Sequence, residues 1–200
     1  MALAVSDMDI CQKLTPQFLS SRLTLLNNAQ LIVADANLPA ESLRFLAESC
    51  TPPLFVDPVS TVKAEKLRPI LGKIHTLKPN RIEAELLSGE AITDAESLHR
   101  AAQVLLDTGL RRVFISLGSQ GVYAASHEGA LLLPCRPAEP VNATGAGDAF
   151  MAGRAWAYLE GTDLKGTALA GASAGAIAIE GAGTINPTLC AAALRARMNQ

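Results

Sequence analysis

The feature that most constrains this 200-residue chain is a repeated alternation of short β-rich runs with helical stretches, each run ending on polar residues. Leu31–Ala34 ends at Asp35, Pro53–Val56 at Asp57-Pro58, and Ile74–Leu77 at Lys78-Pro79-Asn80. Helical patterns cover Pro39–Ser49, Ala64–Leu71, a stretch from about Arg81, and Ala95–Thr108, which stops at Gly109. Thr15-Pro16 opens another helix, because Thr caps and Pro suits the first helical position. Met1–Met8 alternates loosely, like a strand. Arg112–Ser116 reads as a strand leading to the turn Gly118-Ser119-Gln120-Gly121, and Val122–Ala124 with Ala130–Leu133 reads as a hairpin or meander. Thr144–Asp148 is a small-residue loop, followed by helices at Ala149–Leu159, about Leu164–Glu180, and Pro187–Met198.

Such alternation predicts an α/β fold with a mostly parallel sheet covered on both faces. Ligands of these sheets sit beyond the carboxyl ends of the strands. Asp35, Asp57, Lys78–Asn80 and Ser116–Gly121 all fall there, which predicts a site on that edge. No repeat, low-complexity tract or linker interrupts the chain, so residues 1–200 are expected to form one domain.

Composition narrows the function classes. Hydrophobic residues at 49% and charged residues at 18% suit a globular core rather than disorder. The formal charge is −2 and no Lys/Arg block occurs, so neither nucleic acid nor an anionic membrane is an expected partner. Cys11, Cys50, Cys135 and Cys190 lie far apart with no C-x-x-C pair. That argues for free thiols in a reducing cytoplasm rather than a disulfide framework or a zinc cluster. MALAVSDMDI has no signal-peptide pattern, and the small apolar stretch Ala168–Ile179 is too short to span a bilayer.

The segment richest in chemistry is Asn142-Ala143-Thr144-Gly145-Ala146-Gly147-Asp148-Ala149-Phe150. Its two glycines let the backbone turn tightly and approach a ligand closely. The helix after it begins with unpaired amide N–H groups, and these, with the helix dipole, favour a phosphate. Asp148 lies beside that position, and a base next to an anion hole is what phosphoryl transfer to a hydroxyl requires. A plain alternative explains the same residues: Thr144 caps the helix and Asp148 complements its dipole. A dinucleotide fingerprint fails because Phe150 stands where the third glycine belongs and no strand immediately precedes the loop, which argues against an NAD-type oxidoreductase. A Walker A sequence is absent.

Val141–Asp148 resembles the C-terminal signature of the ribokinase-type, or PfkB, carbohydrate kinases, usually D-T-x-G-A-G-D. Three further elements follow the family's order. Asn80 and Glu83 in Lys78-Pro79-Asn80-Arg81-Ile82-Glu83 are similar to its N-x-x-E element. Ser116-Leu117-Gly118-Ser119-Gln120-Gly121-Val122 is similar to its T-L-G-x-x-G-V strand-turn-strand. Gly181-Ala182-Gly183-Thr184 with Asn186-Pro187 resembles the loop beside the nucleotide. On physics alone, Asn80 and Glu83 would also make a capping box, and the glycine turn would be an ordinary one.

The resemblance implies a ribokinase-like three-layer α/β/α sandwich and ATP as phosphoryl donor. It makes Asp148 the catalytic base and the amides of Gly145, Ala146 and Gly147 the anion hole. Asn80 and Glu83 would serve Mg²⁺ and phosphate. Ser116, Gly118, Gly121, Thr144 and Gly181 would line the nucleotide site. In many members the 181–184 loop's carbonyls hold a monovalent cation such as K⁺, together with an Asp; Asn142 stands in that Asp's place here, beside Ala143. Met1–Ile10, Leu14–Leu19, Val33–Leu38, Phe55–Ser60 and Ile74–Asn80 are most similar to members that convert pseudouridine to pseudouridine 5′-phosphate. Asp35, Asn37 and Asp57 would then edge the site, although capping or turn formation explains them equally well. Ribose, fructose or adenosine are the alternative acceptors within the family.

The family's Gly-Gly sugar-binding motif is not found, and Met1 falls in the middle of the family pattern. The chain is therefore expected to be the C-terminal, nucleotide-binding two thirds of such a kinase. A catalytically incomplete piece that binds nucleotide or a partner chain is the competing reading, with self-association through uncovered sheet as a consequence.

Overall fold

The computed structural model describes residues 7–136 and 138–200 and divides into two compact units, Met1–Arg111 and Arg112–Gln200. The strand expected at Met1–Met8 lies outside the described residues for positions 1–6; residues 7–8 lead into a 3₁₀ turn, Asp9–Lys13.

In the first unit, helices α1 (Pro16–Ser20) and α2 (Leu23–Asn27) precede strand β1 (Ile32–Asp35). The Thr15 hydroxyl accepts from the Phe18 N–H at 3.2 Å and caps α1, as its sequence predicts. Helix α3 (Ala40–Ser49), strand β2 (Leu54–Asp57), helix α4 (Thr61–Ala64), strand β3 (Thr76–Leu77), and helices α5 (Arg81–Ser88) and α6 (Ala95–Asp107) follow. β1, β2 and β3 are parallel, in the register Asp35 opposite Asp57 and Val56 opposite Leu77. Leu43, Leu46, Phe55, Val56, Leu67, Ile74 and Leu77 are buried within this unit. The helix expected at Ala64–Leu71 is instead a 3₁₀ segment, Glu65–Lys73. Pro69 inside it cannot donate a backbone hydrogen bond, and the tighter turn accommodates that loss.

In the second unit, β4 (Arg112–Ser116), β5 (Val122–Ser126) and β6 (Gly129–Leu133) form an antiparallel meander with the 3₁₀ turn Gly118–Gln120 between the first two. Helices α7 (Ala146–Leu159), α8 (Leu164–Ile179) and α9 (Ala191–Met198) complete it. Phe114, Val122, Ala124, Phe150 and Ala168 make one apolar cluster; Ala149, Ala174, Ala178 and Leu194 make another. α7 and α8 pack at backbone distance: a Cβ on Gly153 would lie 2.6 Å from the Ala170 carbonyl oxygen and 2.7 Å from the Ala174 Cβ. The buried Arg154 guanidinium stacks 4.8 Å from both the Phe114 and Phe150 ring centroids. Two helix starts move by three or four residues from expectation. α7 starts at Ala146 rather than Ala149, and the last helix starts at Ala191 rather than Pro187. Among the described residues, no helix is long and apolar enough to cross a membrane.

Candidate functional site

In the first unit, polar groups gather at the carboxyl ends of the parallel strands. Asp35 accepts from the Asn37 backbone N–H at 2.9 Å and from its side-chain amide at 2.8 Å, and the Lys63 ammonium donates to the Asn37 side-chain oxygen. Lys66 donates to the Ala36 and Leu38 carbonyls at 2.8 and 3.0 Å. Asp57 is ion-paired with Lys78 at 2.9 Å, with both side chains largely shielded, and it also accepts from the Val59 N–H at 3.0 Å. The latter bond ends β2 in a tight turn that places Val59 at φ 67°. A β-branched residue in left-handed backbone is strained. Lys63, Lys66 and Val59 were not singled out by sequence. Lys78 was visible only as part of Lys78-Pro79-Asn80, because nothing in spacing shows which carboxylate a lysine meets.

Asn80 and Glu83 come together as the capping-box alternative anticipates. The Asn80 side chain accepts from the Glu83 N–H at 2.9 Å, and Glu83 Oε2 accepts from the Asn80 N–H at 2.8 Å. Glu83 is nevertheless buried. Burial pushes its carboxyl above the usual carboxylate range, against the bond from the Asn80 N–H; Asp57 nearby raises it further and Lys78 lowers it. With Oε2 taken by the cap, Oε1 faces no donor among the described hydrogen bonds. A lone carboxylate of this kind suits a hydrated hard cation that takes its remaining oxygens from water and phosphate. Among the described residues, no cluster of three or more His, Cys, Asp or Glu side chains could cage a metal.

In the second unit, Gly145 is the N-cap of α7 in left-handed backbone, φ 85°, and supplies no side-chain cap. A Cβ there would lie 2.1 Å from the Thr184 carbonyl oxygen, so both conformation and space require glycine. The plain alternative, in which Thr144 caps the helix, does not hold: its own N–H donates to the Asn142 side-chain oxygen at 2.9 Å, and Gly145, one residue later, is the N-cap. Ala146 and Gly147 are the first two helical residues, and Asp148 is the third, exposed, its carboxylate in the positive first turn.

The same segment is joined to the end of α8. The Val141 and Asn142 N–H groups both donate to the Ile179 carbonyl, at 2.7 and 3.0 Å, and the Asn142 amide nitrogen donates to the Ala182 carbonyl at 3.1 Å. Gly181 packs against Asn186, whose amide donates to the Ile177 carbonyl at 2.6 Å. Ser116 ends β4. The turn after it closes through Leu117 N–H to the Gly121 carbonyl at 2.9 Å, with Gly118 at φ 59° and Gly121 at φ 100°. A Cβ on Gly121 would lie 2.0 Å from the Leu133 carbonyl oxygen, which accounts for glycine there.

The chain is 40% identical over 164 residues to the pseudouridine kinase of Escherichia coli K12, which covers 80% of this chain and 52% of that protein. A carbohydrate kinase structure from Agrobacterium tumefaciens superposes with a TM-score of 0.82 at 28% identity, covering 99% of this chain and 64% of the other. Arabidopsis thaliana ribokinase, solved with ribose and ATP, shares the fold with a TM-score of 0.79 at 22% identity, covering 90% of this chain and 59% of that one. The chain thus spans about half the length of the curated relatives it matches. The model of the pfkB family carbohydrate kinases matches residues 7–190, and this chain, with its ribokinase-like α/β fold, belongs to that family.

Proposed function

We propose that this chain is the nucleotide-binding part of an ATP-dependent kinase that phosphorylates a nucleoside or sugar hydroxyl, with pseudouridine as the preferred acceptor and pseudouridine 5′-phosphate and ADP as products. The observation that carries the reading is the start of α7. There a glycine N-cap without a side-chain acceptor leaves the Gly147 and Asp148 N–H groups without a partner among the described hydrogen bonds, while the Ala146 N–H makes a long 3.3 Å bond to the Ala143 carbonyl that an anion would have to displace, and the Asp148 carboxylate stands beside them. In this reading Asp148 takes the proton of the acceptor hydroxyl as its oxygen attacks the γ-phosphorus, and the bond from that phosphorus to the bridging oxygen of ADP breaks. The amides of Gly145, Ala146 and Gly147 stabilise the charge on the transferring group.

Ser116, Gly118, Gly121, Thr144 and Gly181 line the nucleotide. Asn80 and Glu83 would hold the water shell of Mg²⁺, which neutralises phosphate charge when bound. The choice of pseudouridine is supported by the 40% identity to a pseudouridine kinase and extends beyond the family assignment. Residues 1–200 act as one kinase domain in this reading, in the cytoplasm and on a small molecule.

The test is ADP release with ATP, Mg²⁺ and pseudouridine, with uridine and ribose as alternative acceptors and Asp148→Asn as control. Turnover that needs pseudouridine and falls by at least about a hundredfold in the variant is the expected result. Turnover with ribose alone would move the substrate. ATP binding without turnover on any acceptor would favour the nucleotide-binding piece that works only with further chain.

A further inference from the structure

Resemblance to the family brings with it a monovalent cation held by loop carbonyls and an acidic side chain, and the residues of this chain do not fit one. Asn142 replaces the acid. Its side-chain oxygen accepts from the Thr144 N–H at 2.9 Å, and that donor fixes which end of the amide is oxygen. The nitrogen end then donates to the Ala182 carbonyl at 3.1 Å. The Ile179 carbonyl already accepts two N–H groups, from Val141 and Asn142, which matches the two lone pairs a carbonyl offers. In the segments 141–145 and 179–187 the one carboxylate is Glu180, and it is paired with Arg197 at 2.5 Å. The Ile179 and Ala182 carbonyls are thus occupied by neutral donors, and the one carboxylate of these segments is already paired, so no free negative charge there balances a cation.

We propose that the Asn142 amide does the cation's work. Through Asn142, the chain's own N–H donor ties the 141–145 segment to the 179–184 segment, and so sets Gly145 and the start of α7 without K⁺. Asn142 is a positioning residue, acting through Gly145. The proposal rests on the nucleotide reading of α7 but makes a separate claim: nucleotide binding here is indifferent to monovalent cations. It also states what the carboxylate would do. In Asn142→Asp the Thr144 bond survives, but an anionic oxygen then faces the Ala182 carbonyl, and only a cation between the two relieves the repulsion.

The experiment measures ADP dissociation constants and Tm for the wild-type chain, Asn142→Asp and Asn142→Ala, in KCl and in tetramethylammonium chloride at equal ionic strength, with Mg²⁺ constant. Wild type is expected to differ by less than about twofold in affinity between the salts, with unchanged Tm. Asn142→Asp is expected to lose about tenfold in affinity and to lower its Tm without K⁺, and to recover both saturably as K⁺ is added. Asn142→Ala should be impaired equally in both salts, which separates loss of the clamp from loss of charge balance. A saturable several-fold gain in wild-type affinity or Tm on adding K⁺ would overturn the proposal, as would an Asn142→Asp protein as indifferent to K⁺ as wild type. If wild type binds no ADP in either salt, the nucleotide reading fails, and the Tm comparison still decides the clamp.

Discussion

At the scale of the residue, the candidate chemistry depends on side chains held in states their surroundings disfavour. Glu83 is the clearest. Its carboxyl is buried, and its pKa lies above the ordinary glutamate value of about 4.3 because burial penalises the charged form. A raised folded-state value means the native chain holds the proton more tightly than the unfolded one. That contribution to stability is fully present below the unfolded value and is lost as pH rises through the folded one. Glu83→Gln keeps an oxygen for the Asn80 N–H and removes the titration. Urea unfolding between pH 4 and 7 should therefore show a smaller fall of stability with pH in the variant, with less Mg²⁺ effect on nucleotide affinity. An unaltered pH dependence would mean the carboxyl does not titrate in this window.

Val59 offers the opposite case of a residue that costs stability. At φ 67° and exposed, it gains little packing for its strained backbone. Val59→Gly should be neutral or stabilising by up to about 1 kcal/mol by chemical denaturation, the reverse of the usual Gly penalty. A loss of more than that would show the valine side chain makes a contact that outweighs the strain.

At the scale of the element, the start of α7 is set by its neighbours as much as by its own residues. Gly145→Ala adds a methyl 2.1 Å from the Thr184 carbonyl oxygen and forces an alanine to φ 85°, so either the segment moves or the cap is lost. A destabilisation of about 2 kcal/mol or more is expected in urea, with nucleotide binding lost disproportionately. Further along the helix, Gly153 permits the close approach of α8. Gly153→Val would drive a branched side chain into the Ala170 carbonyl and the Ala174 Cβ, and should cost about 1–3 kcal/mol, read as a fall in Tm. Here the sequence was informative about kind but not about limits. Ala149–Leu159 was readable as a helix from its small and apolar residues. That the helix extends back through Gly147 to Ala146 depends on Gly145 turning against Thr184, a contact 39 residues away in sequence.

At the scale of the whole molecule, the first unit has a strand edge that bears on association. Among the described residues β1 pairs with β2 alone, and Val33 on it is 50% exposed. Phe18 and Leu25 in the same unit are exposed as well. An edge of this kind recruits further strands, from another copy or from additional chain, unless a charge blocks it. Val33→Lys should reduce concentration-dependent light scattering while leaving Tm within a degree or two of wild type. Scattering unchanged by the lysine would place any association elsewhere.

The sequence by itself determined the class of fold, because a two-residue and a 3.6-residue period can be read without tertiary contacts. It also located the strand ends where Asp35, Asp57 and Lys78 collect, the Asn80–Glu83 cap, and the glycine-bearing segment around Asp148, since local backbone demands select those residue types. Tertiary structure alone decided the rest. Which carboxylate Lys78 meets, why Glu83 is buried with a raised pKa, and which carbonyl the Asn142 amide binds all follow from atoms distant in the chain. Such pairings depend on where the backbone brings the groups, and spacing in sequence carries no record of it. Thr144 shows the boundary most directly. Its residue type suits a cap, but the hydrogen bonds of Asn142 and the carbonyl of Thr184 hold the turn so that Gly145 takes that place.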